Sequence, residues 1–275
     1  MISKQLIFKT ILCTALGMLT TACETVQTTQ GGVVGVQRQQ RMLVSSQEMN
    51  QAAQAEYSQL MAAERQKGAL NRNPSQTARV RAIADRLIAQ TPVFRPDARQ
   101  WAWEVNVITS NEVNAWCMPG GKIAVYSGLI EQLRVTDDEL AAVMGHEMAH
   151  ALREHARERA SEQAVAGLGI SILSAAIGAG NAGQQGMQYA YMGLLGLPNS
   201  RAHETEADRI GVELAARAGY NPHAAVSLWQ KMEQVGGSEP PKFLSTHPPR
   251  EDRLRDLTDY SQRVDPLYQQ ARRGR

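Results

Sequence analysis

Cysteine is scarce in this 275-residue chain, with three in all, at positions 13, 23 and 117. So few exclude a disulfide scaffold. There is no excess charge of one sign, since 29 Lys and Arg face 27 Asp and Glu. Without a basic surplus or stripe, nucleic acid is not an expected partner. No apolar run of about 18 residues lies beyond the N-terminus, which argues against a polytopic membrane protein. There is no internal repeat, so a solenoid is not expected. What remains is ordinary globular composition, 43% hydrophobic and 20% charged, at a length that suits one domain with an arm.

The N-terminus reads as an address and an anchor. Lys4 and Lys9 form a basic start, residues 10–19 a short apolar stretch, and Thr20-Thr21-Ala22 a small-residue end before Cys23. This is the anatomy of a bacterial secretory signal. The placement of Cys23 resembles a lipobox, in which the cysteine carries lipid, although Thr20 stands where Leu or Val is usual. The alternative is an ordinary signal with a chance cysteine. Residues 1–22 are thus expected as a lipoprotein signal peptide. Their removal takes two lysines and no acid, leaving a mature chain with balanced charge. That balance gives no electrostatic drive toward an anionic surface. Cys117 is then left without a partner, which an oxidising periplasm tolerates. Glu24, by resemblance to bacterial sorting rules, suggests the outer membrane. Residues 23–44, rich in Gln, Thr and Gly, read as a lipidated tether, and residues 45–275 as the folded domain.

Within that domain, Ser45-Ser46-Gln47-Glu48 offers a capping box for a helix to about Lys67, and Asn73-Pro74 opens a second. Alternation around Trp101, Trp103, Val105 and Val107 predicts a strand, with two more near 113–118 and 122–126 about Pro119-Gly120-Gly121. Thr136-Asp137-Asp138-Glu139 caps a helix over about 137–154. Further helices are expected over about 200–218, from Asn221-Pro222 to about 234, and from Arg250 onward. The fold class is α+β, dominated by helices, with a small antiparallel sheet. The Ala-, Gly- and Gln-rich stretch 162–199 reads as a mobile cover over a cleft, with a packed core helix as the alternative.

His146-Glu147-Met148-Ala149-His150 is an HExxH motif. Positions i and i+4 of a helix lie about 40° apart around the axis and about 6 Å apart along it. Two imidazoles so placed can converge on one zinc ion. Glu147, rotated by about 100°, can reach water there without taking a ligand position. Gly145 permits another group to approach closely. A catalytic zinc site needs a third protein ligand. Glu204 is the candidate, with Asp208 on the same face placed to orient a ligating histidine. On its own, this segment reads more readily as an acidic, solvated helix face, since charge runs usually lie on the surface. Counted as positions on a helix, Glu206 points elsewhere, His203 lies on another face, and His155, about 140° off the His150 face, is solvated.

Four blocks resemble a known family: residues 111–130, the HExxH with its leading Gly145, Ser200–Asp208, and His247–Arg253. The chain is similar to gluzincin zinc metallopeptidases of the HtpX and CAAX-prenyl-protease type, in their soluble periplasmic lipoprotein branch, BepA-like and LoiP-like. The resemblance runs over roughly 95–260 and implies a gluzincin metallopeptidase domain. It implies that Glu204 is the third zinc ligand and that Glu147 is the catalytic base. It implies that His247 is a fourth, regulatory ligand or an oxyanion partner, and that Arg253 is a catalytic cation. The alternatives are a loop histidine stacked on prolines and a surface arginine. It also implies that strand 122–126 is the edge that binds substrate, one zinc per chain, and a role in quality control of unfolded or misassembled outer-membrane proteins. A chaperone or assembly adaptor with a His247-blocked site is the rival. The absence of a TPR-type repeat favours the short LoiP-like branch.

Overall fold

The computed structural model describes residues 24–176, 198–235 and 241–274. In chain order its elements are β1 (Glu24–Val26), β2 (Gln40–Met42), α1 (Ser46–Gln66), α2 (Pro74–Ile88), β3 (Glu104–Ile108), β4 (Ala115–Met118) and β5 (Lys122–Tyr126). Then follow α3 (Ser127–Gln132), α4 (Asp137–Leu152), α5 (His155–Ala176), α6 (Arg201–Arg217), α7 (Ala224–Gln234), α8 (Lys242–Thr246) and α9 (Arg253–Arg273). Helices dominate, as expected.

Both capping boxes form. The Glu48 N–H donates to Ser45 Oγ at 3.2 Å, and the Ser45 N–H donates back to Glu48 Oε2 at 3.0 Å. Thr136 and Glu139 repeat the exchange at 3.2 and 2.8 Å. Each box satisfies two amides that the first helical turn leaves without partners. α1 buries Met49, Ala53, Tyr57 and Met61, a stripe spaced by four. α4 has no outer face beyond its first two residues: every residue from Glu139 to Leu152 is buried. It is the central helix, packed by α2, α6, α7 and β4. Its seam with α6 is glycine on glycine. A Cβ on Gly145 would stand 2.9 Å from the Gly211 carbonyl oxygen, and one on Gly211 would stand 2.8 Å from the His146 nitrogen. Backbone therefore meets backbone beside the HExxH histidines, as the reading of Gly145 anticipated.

The three-stranded sheet has the order β3-β5-β4. β4 and β5 are antiparallel, but β3 and β5 are parallel, so the sheet is mixed rather than antiparallel. The chain passes from β3 across to β4, then returns through Pro119-Gly120-Gly121 to place β5 between them. Gly120 and Gly121 both take positive φ, 78° and 83°, which the turn requires. The buried Lys122 ammonium ties β5 to the β3 side, donating to the Ala102 carbonyl and, at 2.8 Å, to Glu104. Strand 122–126 is thus the centre of the sheet, not its edge. Among the described residues, the strand with one unpaired side next to α4 is β4.

The stretch expected as a tether is seated in the fold. Val34 and Val36 lie in the main hydrophobic core. The Val34 N–H donates to the buried Glu213 carboxylate at 3.0 Å, and the Gln30 N–H donates to the Phe94 carbonyl at 2.7 Å. β1 and β2 pair antiparallel at its two ends. Composition concealed this, because the seven apolar residues of 24–44, unevenly scattered among Gln, Thr and Gly, make no periodic pattern. Residues 1–23, with Cys23, lie outside the described residues, as does 177–197, most of the stretch read as a cover. No described helix is long and apolar enough to cross a membrane.

Candidate metal centre

His146, Glu147 and His150 come from α4, Glu204 and Asp208 from α6, and His247 from the residue that ends α8. Side-chain donor atoms of His146, His150, Glu204 and His247 all lie within 4.8 Å of one another, and all four residues are buried. The His146 Nε2 is 3.1 Å from the His150 Nε2 and 3.1 Å from the His247 Nδ1. Glu204 Oε1 lies 3.0 Å from His247 Nδ1 and 3.4 Å from His150 Nε2. Three imidazole nitrogens gathered around a carboxylate form a nitrogen–oxygen donor set that suits zinc. Glu204 Oε2 is buried without a well-aligned hydrogen bond, and the Arg253 contact at 3.0 Å is off line. The donor set therefore fits a divalent metal.

Electrostatics agree. Burial works against Glu204 ionising, but His247, His150 and His146 outweigh it and hold the carboxyl well below its ordinary value. Burial pushes His150 well down, toward the neutral ring a ligand must be. Burial pushes Glu147 up. Its Oε1 faces His247 Nε2 at 3.3 Å, to one side of the donor cluster.

Behind the ligands stand carboxylates and arginines. His146 Nδ1 lies 3.0 Å from Asp208 Oδ1, the orienting contact expected of Asp208. Arg253 is 2% exposed, so it is no surface arginine. Its guanidinium sits 3.3 Å over the Trp229 ring and reaches Asp208 at 2.7 Å and Glu204 at 3.0 Å. Expected as a catalytic cation, it instead braces two carboxylates and does not line the cleft. His247 is not stacked on prolines. Its ring lies on Phe243 at 4.3 Å and 22°, with the amide of Asn199 3.4 Å from Nδ1.

Three residues set aside in the sequence turn out to be buried: His155, His203 and Glu206. α4 ends at Leu152 and Glu154 takes a positive φ of 52°, so α5 starts in a new direction. The 140° count assumed one continuous helix. The break returns His155 to His150, Nδ1 to Nδ1 at 2.8 Å. No local signal marks that break, because neither Gly nor Pro stands there. His155, Glu158 and His203 also approach within 4.8 Å as a possible metal group. Arg38 forks onto both Glu158 oxygens at 2.6 and 2.8 Å, so that charge is already met by a guanidinium.

The donors open onto a cleft of about 200 Å³. Its walls include Asn114 to Pro119 of the β4 segment, Glu147, His150, Arg159 and His247.

Comparison with known proteins decides the family. The family model described as "Peptidase family M48" matches residues 74–261, more than half of the chain.

The chain belongs to peptidase family M48.

Curated relatives carry the names of metalloendopeptidases. The mitochondrial metalloendopeptidase OMA1 of Arabidopsis thaliana is 34% identical over 184 residues, 63% of this chain and 35% of that protein. The OMA1 of Schizosaccharomyces pombe is 37% identical over 161 residues, 58% of this chain and 46% of that protein. The beta-barrel assembly-enhancing protease of Escherichia coli is 32% identical over 176 residues, 60% of this chain and 36% of that protein. The match thus spans between a third and a half of these relatives. The M48 match covers the sheet, α4, α6 and His247, so the HExxH, Glu204 and Asp208 all fall within it.

Proposed function

We propose that the protein is a zinc endopeptidase, anchored by lipid on Cys23 to the outer membrane and facing the periplasm, that cleaves unfolded or misassembled outer-membrane proteins. The observation that carries the peptidase reading is the convergence of His146, His150, Glu204 and His247, with Glu147 beside them at a cleft. Support for the location is the signal-like N-terminus with Cys23. Support for the substrate class is similarity to proteins named beta-barrel assembly-enhancing protease.

His146, His150 and Glu204 would hold the ion. Zinc supplies a Lewis acid that polarises a carbonyl and makes water a stronger nucleophile near neutral pH. Glu147 handles the proton. It takes one from the attacking water and returns it to the departing amine nitrogen, a role its raised pKa suits. The unpaired side of β4 presents main-chain donors and acceptors to an extended segment, a mode that tolerates varied side chains. This moves the substrate edge from strand 122–126 to Ala115–Met118. Arg253 keeps Glu204 and Asp208 in place.

Removing the base tests the chemistry. Glu147→Gln should retain about one zinc per chain, by elemental analysis, and lose cleavage of an unfolded substrate by roughly 10²–10⁴-fold. Glu204→Ala should lose zinc. A wild-type protein that takes up no zinc from zinc-containing buffer overturns the mechanism.

His247 favours a second reading. Its Nδ1 stands among the ligand atoms and its Nε2 faces Glu147, so it occupies ground the attacking water needs. In that reading the resting protein is latent and serves as an adaptor. His247→Ala should then raise basal cleavage several-fold; unchanged or lower cleavage removes the latent reading. If Glu147→Gln maintains outer-membrane integrity as well as the wild type, the adaptor role is the physiological one.

A further inference from the structure

The two histidines of the HExxH are supported differently. His146 has a carboxylate directly behind it, Asp208, held by Arg253 and Arg250 at 2.7 and 3.2 Å. Behind His150 stands another imidazole. His150 Nδ1 lies 2.8 Å from His155 Nδ1, and His155 Nε2 lies 3.0 Å from Glu206 Oε2. Glu206 is held in turn by Arg153 at 2.9 Å and by Arg38 at 2.6 Å. His155 is fully buried, and its ring is clamped by the stacked ring of His203 at 4.3 Å and 20°.

We propose that His155 is a positioning residue that passes the grip of Glu206 to His150 and fixes the tautomer in which His150 Nε2 faces the metal. This rests on the reading of His150 as a zinc ligand. The protons follow from the geometry. His150 Nε2 is the atom turned toward His146 and Glu204, so it must be bare to bind. Its Nδ1 then carries the hydrogen and donates to His155 Nδ1. His155 must therefore carry its own hydrogen on Nε2, where Glu206 accepts it. Each donor meets one acceptor along the line, and no other arrangement of neutral rings satisfies both contacts. A ligating histidine whose far nitrogen donates to a carboxylate is a common device. Here an inserted imidazole lengthens it by one link. The far end is closed by Arg38, from the segment that composition had suggested was a loose tether. Arg153 also donates to the Arg38 carbonyl at 2.9 Å, so the arm and the turn after α4 lock together at that end.

The test reads zinc binding rather than turnover. In competition with a chromophoric chelator, His155→Phe should bind Zn²⁺ roughly 10–100-fold more weakly, the range typical for outer-sphere partners of ligands. His155→Gln offers an acceptor toward His150 and a donor toward Glu206, so it should recover most of that loss. Unchanged affinity in His155→Phe overturns the proposal. Equal loss in the two variants, which points to packing alone, also overturns it. Should His155→Phe fail to fold, imidazole nitrogen NMR of the wild type decides: His155 protonated on Nε2 and bare on Nδ1 is expected, and the opposite tautomer overturns the relay. That spectrum is also taken on metal-free protein. A chain that takes no zinc then sinks the proposed function, while the tautomer still tests the relay.

Discussion

Glu204 and Asp208, four residues apart on one helix, do different work. Glu204 faces the donor cluster, while Asp208 stands behind His146 and in front of Arg253. Asp208 is buried, which raises its pKa, but Arg253 and His146 outweigh burial and keep it ionised. Asp208→Asn keeps the volume and removes the charge. Zinc affinity should fall, by up to about 10–100-fold, as the acceptor behind His146 loses its charge. The metal-free protein should also lose stability, because Arg253 and Arg250 are left buried with one fewer counter-charge. Chelator competition and thermal unfolding of the apo form measure the two effects. A variant with wild-type affinity removes Asp208 from the site. At this scale the sequence was informative where spacing alone decides the geometry. His146, Glu147 and His150 could be placed by helical angles because they share one unbroken helix, and Glu204 and Asp208 could be put on one face of theirs; that this face meets the histidines followed from the family resemblance, not from spacing. His155 and Glu206 could not be so placed. Their partners arrive over a helix break and from Arg38, 168 positions before Glu206.

The elements meet at the glycine seam, where the sign of a substitution separates two effects. In an exposed helix, Gly to Ala stabilises by about 1 kcal/mol through propensity. At Gly145 the new Cβ would stand 2.9 Å from a backbone oxygen of α6, which cannot swing aside as a side chain can. α4 and α6 must part by some tenths of an ångström, and overpacking of this kind costs about 1–3 kcal/mol. Gly145→Ala should therefore lower Tm by roughly 5 °C for a chain of this size. It should also weaken zinc binding, because Glu204 and the two histidines ride on the two helices being separated. A raised Tm would mean that the seam is looser than the distances say. Both glycines were visible in the sequence, but their contact was not, since 66 positions part them. The sheet was legible to the same degree. The strands fell near their predicted places because alternation and turn residues are local, while the central position of β5 depends on a parallel pairing with β3 that no local pattern encodes.

Across the described parts of the molecule, buried carboxylates pin separate segments of the chain to the helical core, and this fixes how stability responds to acid. Glu158 joins α5 to the arm. Burial opposes its ionisation, but Arg38, His203 and Gln40 outweigh burial and hold it far below the usual carboxylate range. Glu154 is buried at the turn after α4, and Arg95 and Arg157 hold it down. Glu139, at the start of α4, is partly desolvated, yet Lys231, the Thr136 amide and Ser227 keep it low. Each of these groups is depressed relative to an unfolded value near 4.5. A depressed carboxylate contributes its full stabilisation above the unfolded value and loses it as pH falls through the folded one. Arg38, raised by Glu158 and Glu206 against the pull of burial, stays charged throughout and adds no slope. The Tm of metal-free protein should therefore be flat in this respect above about pH 5 and fall steadily below about 4.5. Glu158 is the most depressed of the three, so its pairing with Arg38 is the last to be lost as pH falls. Proteolysis at acid pH should then reach residues 24–44 no earlier than the helical core. A Tm that stays level down to pH 3, or an arm cleaved while the core is still folded, would show that these ion pairs do not hold the arm to the domain.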